Sequence, residues 1–342
     1  MLPLVWRTLD AHVSRRFRSL RLKQLLEYHM VFLGSSPFQA PAVYSLMSHL
    51  DFRSGVYYPR RGMLELVNSM ERLGRSLGVA YHYNSPVKQI VLDSHQATGV
   101  ELVNGERIGA DLVISAADIH HTETKLLSPA ARSYSEKYWQ KRQPGPGALL
   151  VSLGIKGKLS NLHHHNLYFV KNWHENFAAI YETGTVPEHA SLYVCNPSKT
   201  HPELAPIGHE NLFVLLPLPA GVTLTSEQEL VCTDKIIKIL GEMTREPDLP
   251  KRIVSQLIYG PEQFGEQFNA WKYNAFGGES HLLRQSVIFR THNRSKKIPN
   301  LYYVGAGTLP GIGLPMCLIS AQLTYKRITR NHRHGPLAKE DV

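Results

Sequence analysis

A glycine-rich stretch near the end of the chain is the part of the sequence best suited to chemistry. Four glycines and two prolines fall between Gly305 and Pro315. The apolar run 301–304 before them predicts a strand, and the apolar periodicity after Pro315 predicts a helix. A strand, a tight turn and a helix N-terminus present backbone N–H groups to an anion, and glycine lets the main chain approach a phosphate or an electron-rich ring. A ligand-binding turn is favoured, although a purely structural turn would have the same composition.

The elements that must position this turn alternate between helical and extended patterns. Short strands are predicted at 87–92, 99–103 and 107–108, with Asn104-Gly105 as a hairpin turn. The segment 111–118 predicts a buried strand that ends in a turn of small residues. That turn suits close backbone approach to a ligand, although a tight turn alone would look the same. Apolar runs between 148 and 259 predict a largely antiparallel sheet.

Composition limits the class of protein. A chain of 342 residues, 43% hydrophobic and 19% charged, has the length of about two globular domains. Its three scattered cysteines argue against a disulfide framework or a zinc site, and its longest apolar runs are too short to span a bilayer.

Adjacent side chains of a His163–His165 tripeptide point in different directions, so a solvated loop is favoured there and no metal site is expected.

The positive net charge of the chain is compatible with a polyanionic partner but does not identify one. The formal net charge is +10 and the pI is about 9.4. Nucleic acid, an anionic membrane face and a solvated surface with no partner are all compatible with this. Residues 7–30 predict a basic amphipathic helix that either lies on a membrane or packs on its own domain. Without a nucleic-acid-binding signature or a signal peptide, we expect no nucleic acid, no secretion, and a cytoplasmic or peripheral membrane location.

The glycine-rich stretch resembles the C-terminal signature of the bacterial and fungal phytoene desaturase family, the carotenoid desaturases that use FAD. The segments that also look like this family, in the same order, are Gly34–Phe38 with Val43–Leu46, Gly55–Met63 and Phe276–Arg290. Together these blocks extend over about residues 20–328. Departures from the family pattern are Arg61 and Met316, where glycine is usual, and Thr291, where proline is usual.

The resemblance implies an α/β flavoprotein scaffold of the FAD/NAD(P)-binding, glutathione-reductase-like type, with an interleaved α+β substrate domain. It would divide the chain into the remainder of the FAD-binding domain (53–125 and 272–330), a substrate and membrane-associating domain (1–52 and 126–271) and a flexible tail (331–342). Family members open with a βαβ unit bearing Gly-x-Gly-x-x-Gly, which this sequence does not hold. We therefore expect an N-terminally truncated scaffold that is colourless when purified alone. It would be a truncated gene product, a misplaced start or half of a split protein whose partner chain supplies the unit.

The resemblance also implies a reaction and a set of contacts, but no catalytic side chain. A hydride would pass from an allylic carbon of a long polyene to FAD, and a neighbouring proton would be lost. The implied cofactor contacts are Val87 at the adenine, Ala116 and Ala117 near the pyrophosphate, and Gly305, Ala306, Gly307, Gly311, Gly313, Pro315 and Met316 at the ribityl phosphate and flavin ring. His281 and Arg290 would lie beside the substrate channel.

Two other functions stay open. The chain could be a non-catalytic remnant or subunit that binds a hydrophobic ligand or a partner. It could also be an amine-oxidase-like flavoprotein with a polar substrate, because that class shares the scaffold.

Overall fold

The computed structural model describes residues 2–286 and 289–338, with no description of the side chains of residues 2 and 3. Met1, residues 339–342 of the expected tail, and residues 287 and 288 of the Phe276–Arg290 block lie outside the described residues. The chain divides into two compact units. Unit 1 comprises Met1–Ser45, Asn84–Pro146 and Phe264–Val342, and unit 2 comprises Leu46–Tyr83 and Gly147–Gln263.

The elements of the described chain follow in chain order. The α-helices are α1 (Leu2–Val5), α2 (Leu9–Ser14), α3 (Leu20–Glu27), α4 (Leu46–Arg53), α5 (Met63–Ser76), α6 (Ile119–His121), α7 (Glu136–Gln140), α8 (Trp173–Ala178), α9 (Ser226–Thr244), α10 (Leu249–Arg252), α11 (Pro261–Phe268) and α12 (Leu314–Ile328). The strands are β1 (Val87–Asp93), β2 (Gln96–Leu102), β3 (Arg107–Gly109), β4 (Val113–Ser115), β5 (Gly147–Lys156), β6 (His165–Tyr168), β7 (Leu192–Cys195), β8 (His209–Leu218), β9 (Ile253–Tyr259) and β10 (Leu301–Tyr303).

Unit 1 contains two small sheets. Strands β1, β2 and β3 form an antiparallel meander, and the predicted hairpin turn is confirmed, with Gly105 at φ +90° between β2 and β3. Strands β4 and β10 pair in parallel, with Leu301 opposite Val113 and Tyr303 opposite Ser115. Both strands bury apolar side chains in one core cluster together with Trp139. Parallel pairing brings the carboxyl ends of β4 and β10 to the same edge.

Unit 2 is built on a five-stranded sheet in the order β6-β7-β8-β5-β9, antiparallel throughout, which confirms the predicted antiparallel sheet. Alternate residues of β5, from Leu149 to Ile155, are at most 1% exposed and face a core that also contains Ile236 and Leu240 of α9. A capping box between Thr225 and Gln228 starts α9, because each supplies a side-chain partner to the backbone of the other.

The single helix predicted over residues 7–30 is wrong. Helix α2 ends at Ser14, and α3 begins only at Leu20. Arginines at 15, 18 and 21 are spaced at i, i+3, where like charges repel on a helix surface, and this opposes an unbroken helix. The two helices also differ in environment, since Leu9 of α2 is fully buried and Leu22 of α3 is 43% exposed.

Helix α5 is amphipathic and ends before Gly78, which adopts φ +85°. Its apolar stripe faces outward, because none of its residues is buried. The exposed apolar side chains of this segment, here called the α5 face, are Met63, Leu64, Val67, Met70, Leu73 and Leu77, which are 42–74% exposed. Across residues 2–286 and 289–338, no helix combines the length and the apolarity that crossing a membrane would require.

Candidate functional site

A cavity of about 610 Å³ lies beyond the carboxyl ends of β4 and β10 in unit 1. The edge of an α/β sheet at which parallel strands end is where ligands commonly bind in such folds. The residues that line it are Ala116, Ala117, Asp118, Phe264, Gln267, Phe268, Asn269, Ala270, Asn274, Ala275, Phe276, Gly277, Gly278, Val304, Ala306 and Gly307. The wall is therefore made mostly of small and aromatic side chains.

Two glycines of the wall lie directly against the glycine-rich turn. Gly278 has φ +86°, and a Cβ built on it would lie 2.7 Å from Gly307 Cα and 2.8 Å from the Ala306 carbonyl oxygen. Gly277 has φ +73°, and its Cβ would lie 3.1 Å from that of Ala306. Only glycine fits at 278, since both the backbone angle and the close approach exclude a side chain.

Buried polar groups hold the far side of the same turn. Asn293, which is fully buried, donates from Nδ2 to Thr308 Oγ1 at 3.0 Å, Ser320 Oγ at 2.9 Å and the Leu309 carbonyl at 3.1 Å. Ser320 also accepts the Gly305 N–H at 3.1 Å. These bonds tie the turn to the first turns of α12 and fix its backbone before any ligand binds.

Arg290 is buried beside the glycine-rich turn and is hydrogen-bonded to its main chain. It is 1% exposed, and its Nη2 donates to the Ala306 carbonyl at 2.9 Å, while the Thr291 hydroxyl donates to the carbonyl of Gly307. The Nε and Nη1 atoms of Arg290 have no hydrogen-bond partner among the described residues. These two buried N–H donors therefore lack the protein hydrogen bonds that would offset their removal from water.

Glu279 is the buried carboxylate whose charge acts on Arg290. It is 1% exposed, accepts the Tyr138 hydroxyl at 3.1 Å and lies 3.4 Å from Arg142 Nη1. Burial raises the pKa of the Glu279 carboxyl, and the positive charges of Arg142 and Arg290 oppose that shift. Arg142 and Arg290 carry two positive charges against the single negative charge of Glu279. The buried region behind the glycine-rich turn therefore has an excess of positive charge.

His281 is a neutral buried histidine. Its Nδ1 lies 2.5 Å from the Leu33 carbonyl oxygen, which only accepts, so Nδ1 carries the proton. Burial, and then the charge of Arg290, lower the pKa of His281 to about 3. Its Nε2 faces Gly311, where a Cβ would lie 2.7 Å away and where φ is +150°. The ring also meets Tyr44 edge-on, with centroids 5.1 Å apart.

Helix α12 presents its N-terminus at the end of the turn. Gly313, with φ +121°, is the N-cap and makes no side-chain cap within the described chain, and Pro315 stands in the first turn. Gly313 and Leu314 are exposed. The first backbone N–H groups of α12 are consequently available to an anionic or electron-rich group, with the favourable end of the helix dipole behind them.

The residues expected to contact the cofactor fall in different places. Ala116, Ala117, Ala306 and Gly307 line the cavity. Gly305, Gly311, Gly313, Pro315 and Met316 belong to the turn and the start of α12, whereas Val87 opens β1 and is not among the lining residues. His281 and Arg290 are buried behind the turn. The roles expected of all these residues stay predictions.

Asp118 is the main site residue that sequence reasoning missed. It lines the cavity and is the one titratable residue among the described residues of the wall. Its carboxylate accepts the N–H groups of His120 at 2.8 Å, His121 at 3.1 Å and Trp271 at 3.1 Å. Burial raises its pKa, and the three N–H groups oppose that shift. The signal was present, because an aspartate after a strand and before a short helix is a typical N-cap.

Gly278, Asn293 and Ser320 were also missed. Asn293 is a polar residue in a polar stretch of the sequence, yet it is fully buried. Its partners lie up to 27 residues further along the chain, and no local pattern indicates such contacts.

A family model described as flavin containing amine oxidoreductase matches residues 7–328. The chain is 38% identical to a carotenoid 3,4-desaturase of Haloarcula japonica over 323 residues, which is 94% of this chain and 64% of that protein. It is 34% identical to a zeta-carotene-forming phytoene desaturase of Myxococcus xanthus, over 96% of this chain and 63% of that protein. The chain thus spans less than two thirds of the length of these relatives.

Solved structures share the fold at low sequence identity. An oxidoreductase from Methanosarcina mazei superposes with a TM-score of 0.63 at 16% identity, covering 93% of this chain and 68% of that one. A redesigned putrescine oxidase gives a TM-score of 0.56 at 14% identity, over 96% and 69% of the two chains. The expected α/β flavoprotein fold and the resemblance to carotenoid desaturases are both confirmed by these comparisons.

Proposed function

The chain belongs to the flavin containing amine oxidoreductase family, and from that premise we propose that it acts in the FAD-dependent desaturation of a long polyene. Its similarity to proteins named as carotenoid desaturases supports this substrate class over a polar amine. The proposal covers the activity, the polyene and the binding of added FAD by a chain that is expected to be colourless when purified alone.

The observation that carries the proposal is the chemistry of the cavity wall. Asp118 is its one titratable residue among those described, and its carboxylate is already occupied by three backbone N–H groups. Such a wall binds and orients ligands and offers no free acid, base or nucleophile. Bound FAD would supply the redox chemistry by accepting a hydride, and the proton lost from the neighbouring carbon would pass to water.

The residues present fit a dinucleotide. A volume of about 610 Å³ lies within the range of small-molecule sites. Ala116, Ala117, Ala306 and Gly307 would let a planar ring or a phosphate approach the main chain, because they carry little or no side chain. The free N–H groups at the start of α12 would hold an anionic or electron-rich oxygen, and Val87 would offer its backbone to the adenine.

The buried groups behind the turn would act as positioning residues. Arg290 orients the Ala306 carbonyl, and the neutral ring of His281 packs against Gly311. His281 is 4% exposed and Arg290 is 1% exposed, so neither side chain is placed to exchange protons with solvent. Phe264, Phe268 and Phe276 supply the apolar contact that an uncharged polyene requires.

We further propose a peripheral location on the cytoplasmic side of a membrane, since long polyenes dissolve in bilayers rather than in water. The α5 face supports this, because an exposed apolar stripe of this size is unusual on a water-soluble surface. The net charge of +10 favours an anionic leaflet. We propose that the basic segment 15–23 makes that contact. Only its last residues, Arg21 and Lys23 among them, lie in α3, where Leu20, Leu22 and Leu25 are each 41–43% exposed.

The test uses the full chain with added FAD and with phytoene carried in liposomes. We expect bleaching of the oxidised flavin absorbance in a single turnover, together with polyene absorption at longer wavelength. Ala117→Leu, which fills the cavity, should weaken FAD binding about tenfold or more. Ala205→Leu, in a separate cavity of unit 2, is the matched control and should leave FAD binding unchanged.

Each contrary result has a distinct meaning. Flavin bleaching by a small polar amine, with no change in phytoene, would replace the proposal by an amine oxidase. Failure of the chain to bind FAD would overturn the catalytic proposal for this chain and favour a non-catalytic subunit.

A further inference from the structure

We propose that His164, His165 and Cys195 of unit 2 form a binding site for one zinc-like divalent metal ion. This inference is independent of the proposed desaturation, because the three residues belong to neither the cavity wall nor the glycine-rich turn. It contradicts the expectation of no metal site that was drawn from the sequence.

The strand pairing brings the three side chains together. His165 opens β6 and lies opposite Cys195, the last residue of β7. One ring nitrogen of each histidine and the Cys195 sulfur all lie within 4.8 Å of one another. The two imidazole rings have centroids 4.3 Å apart and planes inclined by 35°. The expectation that adjacent histidines diverge is therefore wrong at this pair.

Both histidines make a hydrogen bond through Nδ1. His164 Nδ1 lies 2.6 Å from Thr200 Oγ1, and His165 Nδ1 lies 2.8 Å from the Tyr193 hydroxyl. His164 Nε2 is buried and has no hydrogen-bond partner among the described residues. A metal-ligating histidine typically has its second nitrogen fixed by such an outer hydrogen bond, which sets the tautomer and aims the ring.

The donor set selects the class of ion. Two imidazoles and a thiolate suit Zn²⁺ and its spectroscopic substitute Co²⁺, whereas Ca²⁺ and Mg²⁺ require oxygen ligands. The cluster found among the described residues contains no carboxylate. Three protein ligands leave the fourth tetrahedral position to water. The Tyr58 ring meets the His164 ring edge-on, with centroids 4.4 Å apart and planes inclined by 65°.

A bound ion would fasten the edge of the unit 2 sheet. Strand β6 is one of the two edge strands and pairs only with β7 in the described sheet. The ion would link the start of β6 to the end of β7 and would bind the folded chain in preference to the unfolded one. Binding should therefore raise the melting temperature in proportion to the logarithm of free metal above Kd.

The test is a metal titration of the full chain after treatment with chelator and thiol reductant. We expect one Zn²⁺ per chain, measured by competition with a chromophoric chelator, and a thiolate-to-metal charge-transfer band when Co²⁺ is used instead. His165→Ala and Cys195→Ser should each weaken Zn²⁺ binding about tenfold or more, and Cys195→Ser should abolish the cobalt band. His163→Ala and Cys232→Ser, a neighbouring histidine and an unrelated thiol, should change neither readout.

His165 is exposed, so His165→Ala keeps the test valid even if Cys195→Ser lowers folding yield. Near-ultraviolet circular dichroism of each variant checks that it is folded. The proposal is overturned if the native chain gives no cobalt–thiolate band, or if His163→Ala weakens Zn²⁺ binding as much as His165→Ala does. Both readouts are independent of flavin, so this outcome and that of the desaturation test are separable.

Discussion

Arg290 donates a hydrogen bond from Nη2 to the main-chain oxygen of Ala306 at 2.9 Å, from a position that is only 1% exposed. A long charged side chain thus fixes a carbonyl group inside the glycine-rich turn. The negative charge of Glu279 stabilises the guanidinium in that setting. The shape of the turn therefore depends on a segment that precedes β10 as well as on its own glycines.

Replacing Arg290 by methionine should destabilise the protein strongly. Arg290→Met keeps most of the volume but leaves the Ala306 carbonyl unpaired and removes a cation from beside Glu279. We expect a loss of about 1–3 kcal/mol in the free energy of unfolding, because the buried Ala306 carbonyl loses its charged donor. Urea denaturation measures it. Arg294→Met, at an exposed arginine in the same segment, should cost less than about 0.5 kcal/mol. Equal losses would contradict the role of Arg290.

Gly278 should tolerate no side chain. Gly278→Ala combines an unfavourable φ of +86° with a contact of 2.7 Å to Gly307 Cα. Gly105→Ala is the matched control, because Gly105 has φ +90° and no described atom within 4 Å of its Cβ position. The control should cost about 1 kcal/mol for the backbone angle alone. Gly278→Ala should cost about 1–3 kcal/mol more, since the clash is added. Thermal or urea unfolding of the two variants measures this difference. Equal losses in the free energy of unfolding would show that the turn shifts to admit a Cβ at position 278.

The strand, turn and helix of the site could be predicted because their signals are local. Leu301–Tyr303, the glycines that follow and Pro315 at the start of α12 all lie within a few residues of one another. The β2–β3 hairpin was predicted in the same way from Asn104 and Gly105. In each, the backbone preference of one or two residues decides the local structure.

The remainder of the site depends on contacts that no local pattern encodes. Strand β4 pairs with β10 from the far end of the sequence, and Asn293 holds the turn through partners on both sides of it. His164 meets Cys195 only because β6 pairs with β7 in one particular register. The apolar periodicity of α5 is typical of an amphipathic helix, but periodicity alone does not determine whether the apolar stripe packs inward.

Lowering the pH should remove the stabilisation that the ionised Glu101 carboxylate gives to unit 1. Hydrogen bonds from Lys88, then Arg107 and then Gln89, lower the pKa of Glu101 from 4.5 to about 2. A carboxyl whose pKa is lowered on folding stabilises the native state above its unfolded pKa, and the effect is lost as the pH falls from about 4.5 to about 2. The difference in melting temperature between the native chain and Glu101→Gln should therefore be largest near neutral pH and should vanish near pH 2.

A double variant supplies the control for Glu101. Lys88→Met should lower the melting temperature less in the Glu101→Gln background than in the native chain, because its partner at 2.9 Å is then uncharged. The native chain and the Glu101→Gln variant are compared again here by melting temperature. If the difference in melting temperature between them stays constant from neutral pH to acid, the ion pairs of Glu101 contribute nothing to stability.

The α5 face should bind lipid, and its two sides can be compared within one helix. Val67 and Leu73 are each 60% exposed on the apolar side, and Asn68 and Ser76 lie on the polar side. We expect the Val67→Asp, Leu73→Asp double variant to bind anionic vesicles about tenfold or more weakly than the native chain, because two charges would have to enter the apolar boundary of the bilayer. The Asn68→Asp, Ser76→Asp double variant adds the same charge and should bind far better than the first.

Vesicle co-sedimentation at several salt concentrations measures both variants, with neutral vesicles as the lipid control. Arg72 and Arg75 of α5 are already paired with Glu65 and Glu71, so the helix itself adds little net charge and its binding should depend mainly on apolar area. Attraction that falls with salt should then arise from the basic remainder of the chain. If the two double variants bind anionic vesicles equally, apolar contact by α5 is wrong, and the vesicle binding that remains is electrostatic.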